Sequence, residues 1–178
     1  MIASAITNGN LKIKNINPKI ISSEISLLQK MGVKIIKKKN HLIVNFAKNL
    51  KSINIETKPY PGFPTDLQAQ LMVLMTKANG VSTIKESIFE NRFMHVSELR
   101  RMGARIEIKG NKAKIFGKSK LNGAELMATD LRASVSLVLA GLVASNNTLI
   151  NRIYHLDRGY EKIESKLSKC GAKIKRLQ

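Results

Sequence analysis

The sequence predicts an α/β fold built from duplicated units around a pseudo-symmetry axis, and three observations predict it. The first is a motif written three times, as Leu28-Gln29-Lys30-Met31-Gly32-Val33-Lys34-Ile35, Leu99-Arg100-Arg101-Met102-Gly103-Ala104-Arg105-Ile106 and Leu167-Ser168-Lys169-Cys170-Gly171-Ala172-Lys173-Ile174, with glycines 71 and then 68 residues apart. The second is an apolar run with β-branched residues ahead of each copy, at Leu11 to Ile16, Val81 to Ile84 and Thr148 to Ile153. The third is the pair Thr65-Asp66-Leu67 and Thr129-Asp130-Leu131, which recurs at a spacing of 64 and opens a long apolar segment each time. Solenoid repeats run to roughly 20–50 residues, so a longer period points to duplicated supersecondary units.

Each element follows from local chemistry. Met1 to Thr7 reads as the tail of an apolar helix, and Leu11 to Ile16 as a strand. A helix then ends at Gly32, and a hairpin turns near Lys38-Lys39-Asn40. The next helix runs from Leu67 to Lys77 with Gly80 just beyond, and Thr65 and Gln68 have the spacing of a capping box. In the second copy Val81 to Lys85 is a strand, and Phe93 to Met102 carries apolar residues at helical spacing. Gly103 supplies the left-handed residue that ends this helix. Arg105 to Ile108 alternates, Gly110-Asn111 turns, and Ala113 to Phe116 returns as the second arm of a hairpin. After Leu121 to Met127, Thr129 is the expected N-cap of an apolar helix from Leu131 to about Ala144. The third copy ends after one helix and one strand. The reading is one domain, 1–178, with repeats at about 10–80, 81–146 and 147–178: two complete units and part of a third, belonging to something longer.

Composition bounds the function. Hydrophobic content of 43% over 178 residues suits a packed domain. No apolar run approaches the roughly 18 residues of a membrane span, and the first residues lack a basic leader, so a cytoplasmic location without membrane attachment is expected. One cysteine excludes internal disulfides and fits a reducing compartment. The net charge of +19 suggests nucleic acid, but 23 lysines against 8 arginines, abundant Ile and Asn, and 4% aromatics describe a tolerant basic surface better than a base-stacking module, so no specific nucleic acid is expected. The charge does favour anionic ligands.

Three stretches exceed what packing requires. Pro59-Tyr60-Pro61-Gly62-Phe63-Pro64-Thr65-Asp66 is a stiff approach that delivers an acid to a helix start. Two readings of Asp66 stay open: an ordinary first-turn acid complementing the helix dipole, or a base. Ile88-Phe89-Glu90-Asn91-Arg92-Phe93-Met94-His95 and Arg152-Ile153-Tyr154-His155-Leu156-Asp157-Arg158-Gly159-Tyr160-Glu161 sit at corresponding strand-to-helix joints of copies two and three. Their charges either pair among themselves or serve a site. Asp66 and Asp130-Leu131-Arg132 occupy corresponding joints before the second helix. If the units surround one axis, helix N-termini converge and bring two carboxylates and three arginines, Arg92, Arg132 and Arg158, to one region suited to a multiply anionic substrate.

These strings, with Phe63-Pro64-Thr65-Asp66-Leu67-Gln68-Ala69-Gln70 and Ala128-Thr129-Asp130-Leu131-Arg132-Ala133-Ser134, resemble the UDP-N-acetylglucosamine carboxyvinyltransferases of the enolpyruvyl transferase family, in order and over the whole chain. The resemblance implies an inside-out α/β barrel lobe made of three similar units, of which this chain is most of the C-terminal one. It implies transfer of the enolpyruvyl group of phosphoenolpyruvate to the 3′-hydroxyl of UDP-N-acetylglucosamine, with release of phosphate, at the opening of peptidoglycan precursor synthesis. Asp66 matches the aspartate at the sugar hydroxyl and its expected base. Ile88 matches a main-chain contact to the nucleotide sugar, and Phe89 its neighbour. Arg132 and Arg158 match arginines near the phosphoenolpyruvate anion, and Arg92 and Asp130 match polar residues of the same cleft. No cofactor and no metal are implied.

Members of the family also carry a cysteine or aspartate on a mobile loop, a lysine–asparagine pair and further arginines in the other lobe, none of which is in this sequence. A separate N-terminal lobe chain is therefore an expected partner, and this polypeptide alone is expected to be inactive. Cys170 takes the place of Met31 and Met102 and is expected to be a buried structural thiol. Two alternatives stand beside this reading: a lobe of the sister enzyme acting on shikimate 3-phosphate, and a non-catalytic basic remnant. Gly117-Lys118-Ser119 lacks the P-loop spacing, and His41, His95 and His155 lack metal-ligand spacing.

Overall fold

A computed structural model describes residues 1–45 and 47–177. The first unit runs α1 (Ile2–Ile6), β1 (Leu11–Lys14), a 3-10 turn at Pro18–Ile21 leading into α2 (Ser22–Lys30), the hairpin β2 (Lys34–Lys37) and β3 (His41–Asn45), then β4 (Asn54–Glu56). A second 3-10 turn at Thr65–Leu67 opens α3 (Gln68–Met75). The second unit repeats the order with β5 (Val81–Lys85), α4 (Val96–Arg101), β6 (Arg105–Lys109), β7 (Lys112–Phe116), β8 (Glu125–Met127) and α5 (Leu131–Gly141). The third begins with β9 (Leu149–Asn151), α6 (Tyr154–Asp157) and α7 (Ile163–Lys169).

The helices sort into two kinds. All eight residues of α3 are buried, as are Ala133 to Ala140 of α5, because both are predominantly apolar, with Gln68, Gln70, Ser134 and Ser136 the polar side chains buried among them. They pack on each other, with α1 against α3, and form the centre of the molecule. In α2 and α4 only one stripe is buried, Ile25, Leu27 and Leu28 in one and Val96 and Leu99 in the other. Sheets lie outside the central helices, which is the reverse of an ordinary barrel.

Two of the three sheets formed by the described residues are assembled across a unit boundary. In the four-stranded sheet, ordered β4-β5-β7-β6, β4 comes from the first unit and pairs in parallel with β5, and the β6–β7 hairpin adds antiparallel strands. The sheet β1-β3-β2 has the strand-plus-hairpin part of this plan, and the parallel pair β8-β9 has its other part. The joints repeat as well. Lys51 N–H donates to Met31 O at 2.9 Å and Asn122 N–H to Met102 O at 2.8 Å; Asn79 N–H donates to Leu50 O at 2.7 Å and Ser145 N–H to Leu121 O at 2.8 Å. Gly32, Gly103 and Gly171 each hold φ of +95°, the left-handed conformation in which a helix ends without a Cβ penalty.

Several expectations need correction. The N-cap of α5 is Asp130, not Thr129: its carboxylate accepts from the backbone N–H of Arg132 (2.8 Å) and Ala133 (3.0 Å), while Thr129 is exposed. Thr65 and Gln68 form no capping box, because the Thr65 hydroxyl donates to Glu86 instead. The second-copy helix starts at Val96, since Phe93 to His95 remain in turns. Residues after Gly171 form no strand among the described residues. Cys170 is exposed, whereas Met31 and Met102 are fully buried. In the first two copies the Met carbonyl receives a following segment, Lys51 or Asn122, that covers the helix end, and no described segment covers the end of α7.

Candidate functional site

The central helices begin at the same end of the molecule. The 3-10 turn before α3 carries Asp66, and the first turn of α5 carries Arg132. Arg132 Nε donates to Asp66 Oδ1, so residues 66 apart in sequence form one ion pair at two helix N-termini. Asp66 keeps 64% of its side chain exposed, which leaves the carboxylate accessible to a ligand. This is the convergence that the spacing of the two Thr-Asp-Leu strings predicts.

A cleft lies beside the pair in two adjoining parts. The smaller, about 240 Å³, is lined by Thr65, Gln68, Arg92, His95, Asp130 and Arg132 among others. The larger, about 740 Å³, is walled by the loop after β5, including Glu86, Ile88, Phe89 and Arg92. Glu90, Asn91, Arg92 and Met94 border both. Arg92 is placed by its own loop: its guanidinium lies 4.2 Å from the centroid of the exposed Phe89 ring, a cation–π contact that orders both side chains. Asn91 reaches this geometry at φ of +55°, a conformation Asn tolerates better than most residues.

Of the residues singled out in the sequence, Ile88, Phe89, Arg92, Asp130 and Arg132 line one part of the cleft or the other, and Asp66 lines neither part but stands beside it through its pair with Arg132. Arg158 borders neither part. It ends α6, next to Gly159, where a Cβ would come within 2.9 Å of Leu131 Cδ1 at the start of α5. Its neighbour Asp157 does not pair with it. Asp157 receives two bonds from Arg176, at 3.0 and 2.6 Å, and that guanidinium holds the Asp157 carboxyl below its ordinary range.

Three polar residues of the cleft are not picked out as site residues in the sequence. Glu86 is 2% exposed and accepts from four donors around the loop and the Asp66 turn. His95 is 3% exposed, and its Nε2 has no hydrogen-bond partner among the described residues. Burial pushes its imidazole down to about 4, against an opposing pull from Asp130. Gln68 is buried, with its amide nitrogen unpartnered among the described residues. A lone Glu after an alternating strand, or a His or Gln on a helical face, looks like solvated surface until the turn that buries it is known.

The arrangement can bind a ligand with several negative charges between Arg92 and Arg132. It can also accept a proton on Asp66. Among the described residues no group of three or more His, Cys, Asp or Glu is placed to hold a metal ion, and no helix is long and apolar enough to cross a membrane.

Residues 1–167 match the family model described as EPSP synthase (3-phosphoshikimate 1-carboxyvinyltransferase). The chain is 66% identical over 177 residues to the UDP-N-acetylglucosamine 1-carboxyvinyltransferase of Pelagibacter ubique, covering 99% of this chain and 42% of that protein. It is 58% identical over 178 residues to the protein of the same name from Geotalea daltonii, covering 100% and 43%. The chain therefore spans somewhat over two fifths of the length of these relatives. Among solved structures, the enolpyruvyl transferase NikO from Streptomyces tendae superposes with a TM-score of 0.87 at 29% identity, over 98% of this chain and 42% of that one. EPSP synthase from Acinetobacter baumannii superposes with a TM-score of 0.62 at 18% identity, over 84% and 37%, a likeness of fold alone. The repeated units, the inward helices and the motif-bearing joints are thus those of a known architecture, and the chain belongs to the EPSP synthase family of enolpyruvyl transferases.

Proposed function

We propose that this chain is most of the C-terminal lobe of a UDP-N-acetylglucosamine carboxyvinyltransferase and supplies its share of the active site. The observation that carries the reading is the Asp66–Arg132 pair at two convergent helix N-termini beside the Ile88–Arg92 loop. In the reaction, a C–O bond forms between the sugar 3′ oxygen and the enolpyruvyl carbon, the C–O bond to phosphate breaks, and the hydroxyl proton is lost. Asp66 is the acceptor for that proton, a role that its exposed carboxylate at a helix start beside the cleft supports. Arg132 orients Asp66 and, with Arg92 and the α5 N-terminus, attracts the anionic cosubstrate. Arg158 joins that anion site from the α6 side, and Ile88 and Phe89 contact the nucleotide sugar. Asp130 holds the first turn of α5, and so Arg132, in place. A second chain or segment completes the site, and the reaction belongs in the cytoplasm.

The identity to the nucleotide-sugar enzymes supports this substrate, while the description of the family model favours shikimate 3-phosphate. Titrating the isotope-labelled chain with each compound separates the two. UDP-N-acetylglucosamine is expected to shift the amide resonances of Ile88, Phe89 and Arg132, and shikimate 3-phosphate to leave them in place. The opposite pattern assigns the sister substrate, and no shift with either compound contradicts a ligand site in this chain.

A further inference from the structure

Asp66 and the Ile88–Phe89 main chain belong to different elements, and one buried side chain reaches both. Glu86, immediately after β5, accepts through Oε1 from Thr57 Oγ1 (2.8 Å), Ile88 N–H (2.9 Å) and Phe89 N–H (3.2 Å). Through Oε2 it accepts from Thr65 Oγ1 (2.8 Å), the residue before Asp66. Its own N–H donates to Asn111 O at 2.8 Å, which ties it to the β6–β7 turn, and Thr57 Oγ1 in turn accepts from Ser87 N–H at 2.9 Å. Burying a carboxylate is costly unless its oxygens are satisfied, and here four donors approach from two directions. An amide offers one acceptor oxygen and puts a donor on the other side, so only a carboxylate accepts toward the loop and toward Thr65 at once. Packing alone gives no reason for such a group.

We propose that Glu86 is a positioning residue for the cleft: Oε1 fixes the Ile88–Phe89 main chain and Oε2 fixes the turn that carries Asp66, so that both present to one ligand at a set separation. The ligand in this statement is the nucleotide sugar, and that part rests on the function proposed above. The loop and the turn are each short and exposed on their cleft side, so their relative placement depends on this shared anchor rather than on a common strand.

The test uses the full chain, its Glu86→Ala, Glu86→Gln and Thr65→Val variants, and UDP-N-acetylglucosamine as the probe. Amide hydrogen exchange at Ile88 and Phe89 and the affinity for the probe are read by NMR. Glu86→Ala is expected to speed exchange at these two amides by about tenfold or more, the scale of a lost charge-assisted hydrogen bond, while β5 and β7 amides stay protected. It should weaken the probe by a similar factor. Glu86→Gln is expected to restore the loop protection, since one acceptor oxygen remains. Thr65→Val should leave Ile88 and Phe89 exchange at the parent rate yet weaken the probe several-fold by releasing only the Asp66 side. Parent-like exchange at Ile88 and Phe89 in Glu86→Ala overturns the proposal, as does protection lost evenly over the whole sheet, or parent affinity in both Glu86→Ala and Thr65→Val. If Glu86→Ala does not fold, Glu86→Gln and Thr65→Val decide by the same readings. A parent chain that does not bind the probe removes the substrate reading alone, because the exchange data still show whether Glu86 fixes the loop.

Discussion

At the scale of single residues, the cleft is defined by side chains whose burial gives them unusual chemistry. His95 is held neutral by desolvation, with its imidazole down at about 4. In the unfolded chain the same group titrates near its ordinary value, so at high pH it is neutral in both states and contributes no pH dependence. As pH falls below about 6.5 the unfolded state takes up a proton that the folded state refuses, and stability drops until about pH 4. The slope is roughly 1.4 kcal/mol per pH unit, for a total of about 3 kcal/mol. Urea midpoints measured from pH 7 to 4.5 should fall for the parent and flatten for His95→Gln; parallel profiles contradict a buried neutral His95. The convergence of Asp66 and Arg132 on one region was legible from the recurrence of Thr-Asp-Leu, because a repeat puts equivalent residues at equivalent joints; that the two form an ion pair was not. Glu86 and His95 were not, because their roles arise from the turn at residues 86–95, whose course no periodicity encodes. Cys170 was misread for a related reason: the motif places it in a core position, but burial depends on what covers the helix end.

At the scale of elements, β5 and the two hairpins were readable almost to the residue, since alternation and Gly-Asn or Lys-Asn turns are local signals, while the short strands β4 and β8 were not read and the strand expected after Gly171 does not form among the described residues. Helix N-caps were not readable. Thr129 and the Thr65–Gln68 spacing are both sound local caps, yet Asp130 caps α5 and Thr65 turns to Glu86, because a buried carboxylate outcompetes a local bond. The correction is testable. Asp130→Ala should destabilise the chain by about 1 kcal/mol, within the usual 0.5–2 kcal/mol of an N-cap, and Thr129→Ala should change little. Thermal unfolding of the two variants reads this directly; a Thr129 effect as large as that of Asp130 restores the sequence-based assignment.

At the scale of the whole molecule, the sheets show what the repeat leaves open. β1 holds the place that β5 holds in the four-stranded sheet, but no described strand pairs with it in parallel; β9 has its parallel partner β8, but no described hairpin. The third unit is thin: α7 has no buried residue, and its apolar side chains join a small cluster around Val135, Val138 and Leu156. Free strand edges and a weakly covered apolar face favour association. The chain by itself is expected to self-associate or to be stabilised by the second chain or segment proposed above, and sedimentation with thermal unfolding checks it; a monomer whose melting is unaffected by dilution contradicts it. The central claim is that these residues perform their part of the enolpyruvyl transfer, and it is tested most directly by exchanging this chain for the matching segment of the Pelagibacter ubique relative. Phosphate release from phosphoenolpyruvate and UDP-N-acetylglucosamine is then measured for the chimera, for its Asp66→Ala variant and for the 178-residue chain alone. The account predicts an active chimera, no turnover by the chain alone, and a loss of about 10²–10⁴-fold, mainly in kcat, on removing the Asp66 carboxylate. A chimera without activity, or an Asp66→Ala enzyme within a factor of about three of its parent, contradicts it and returns Asp66 to the role of a helix-dipole acid.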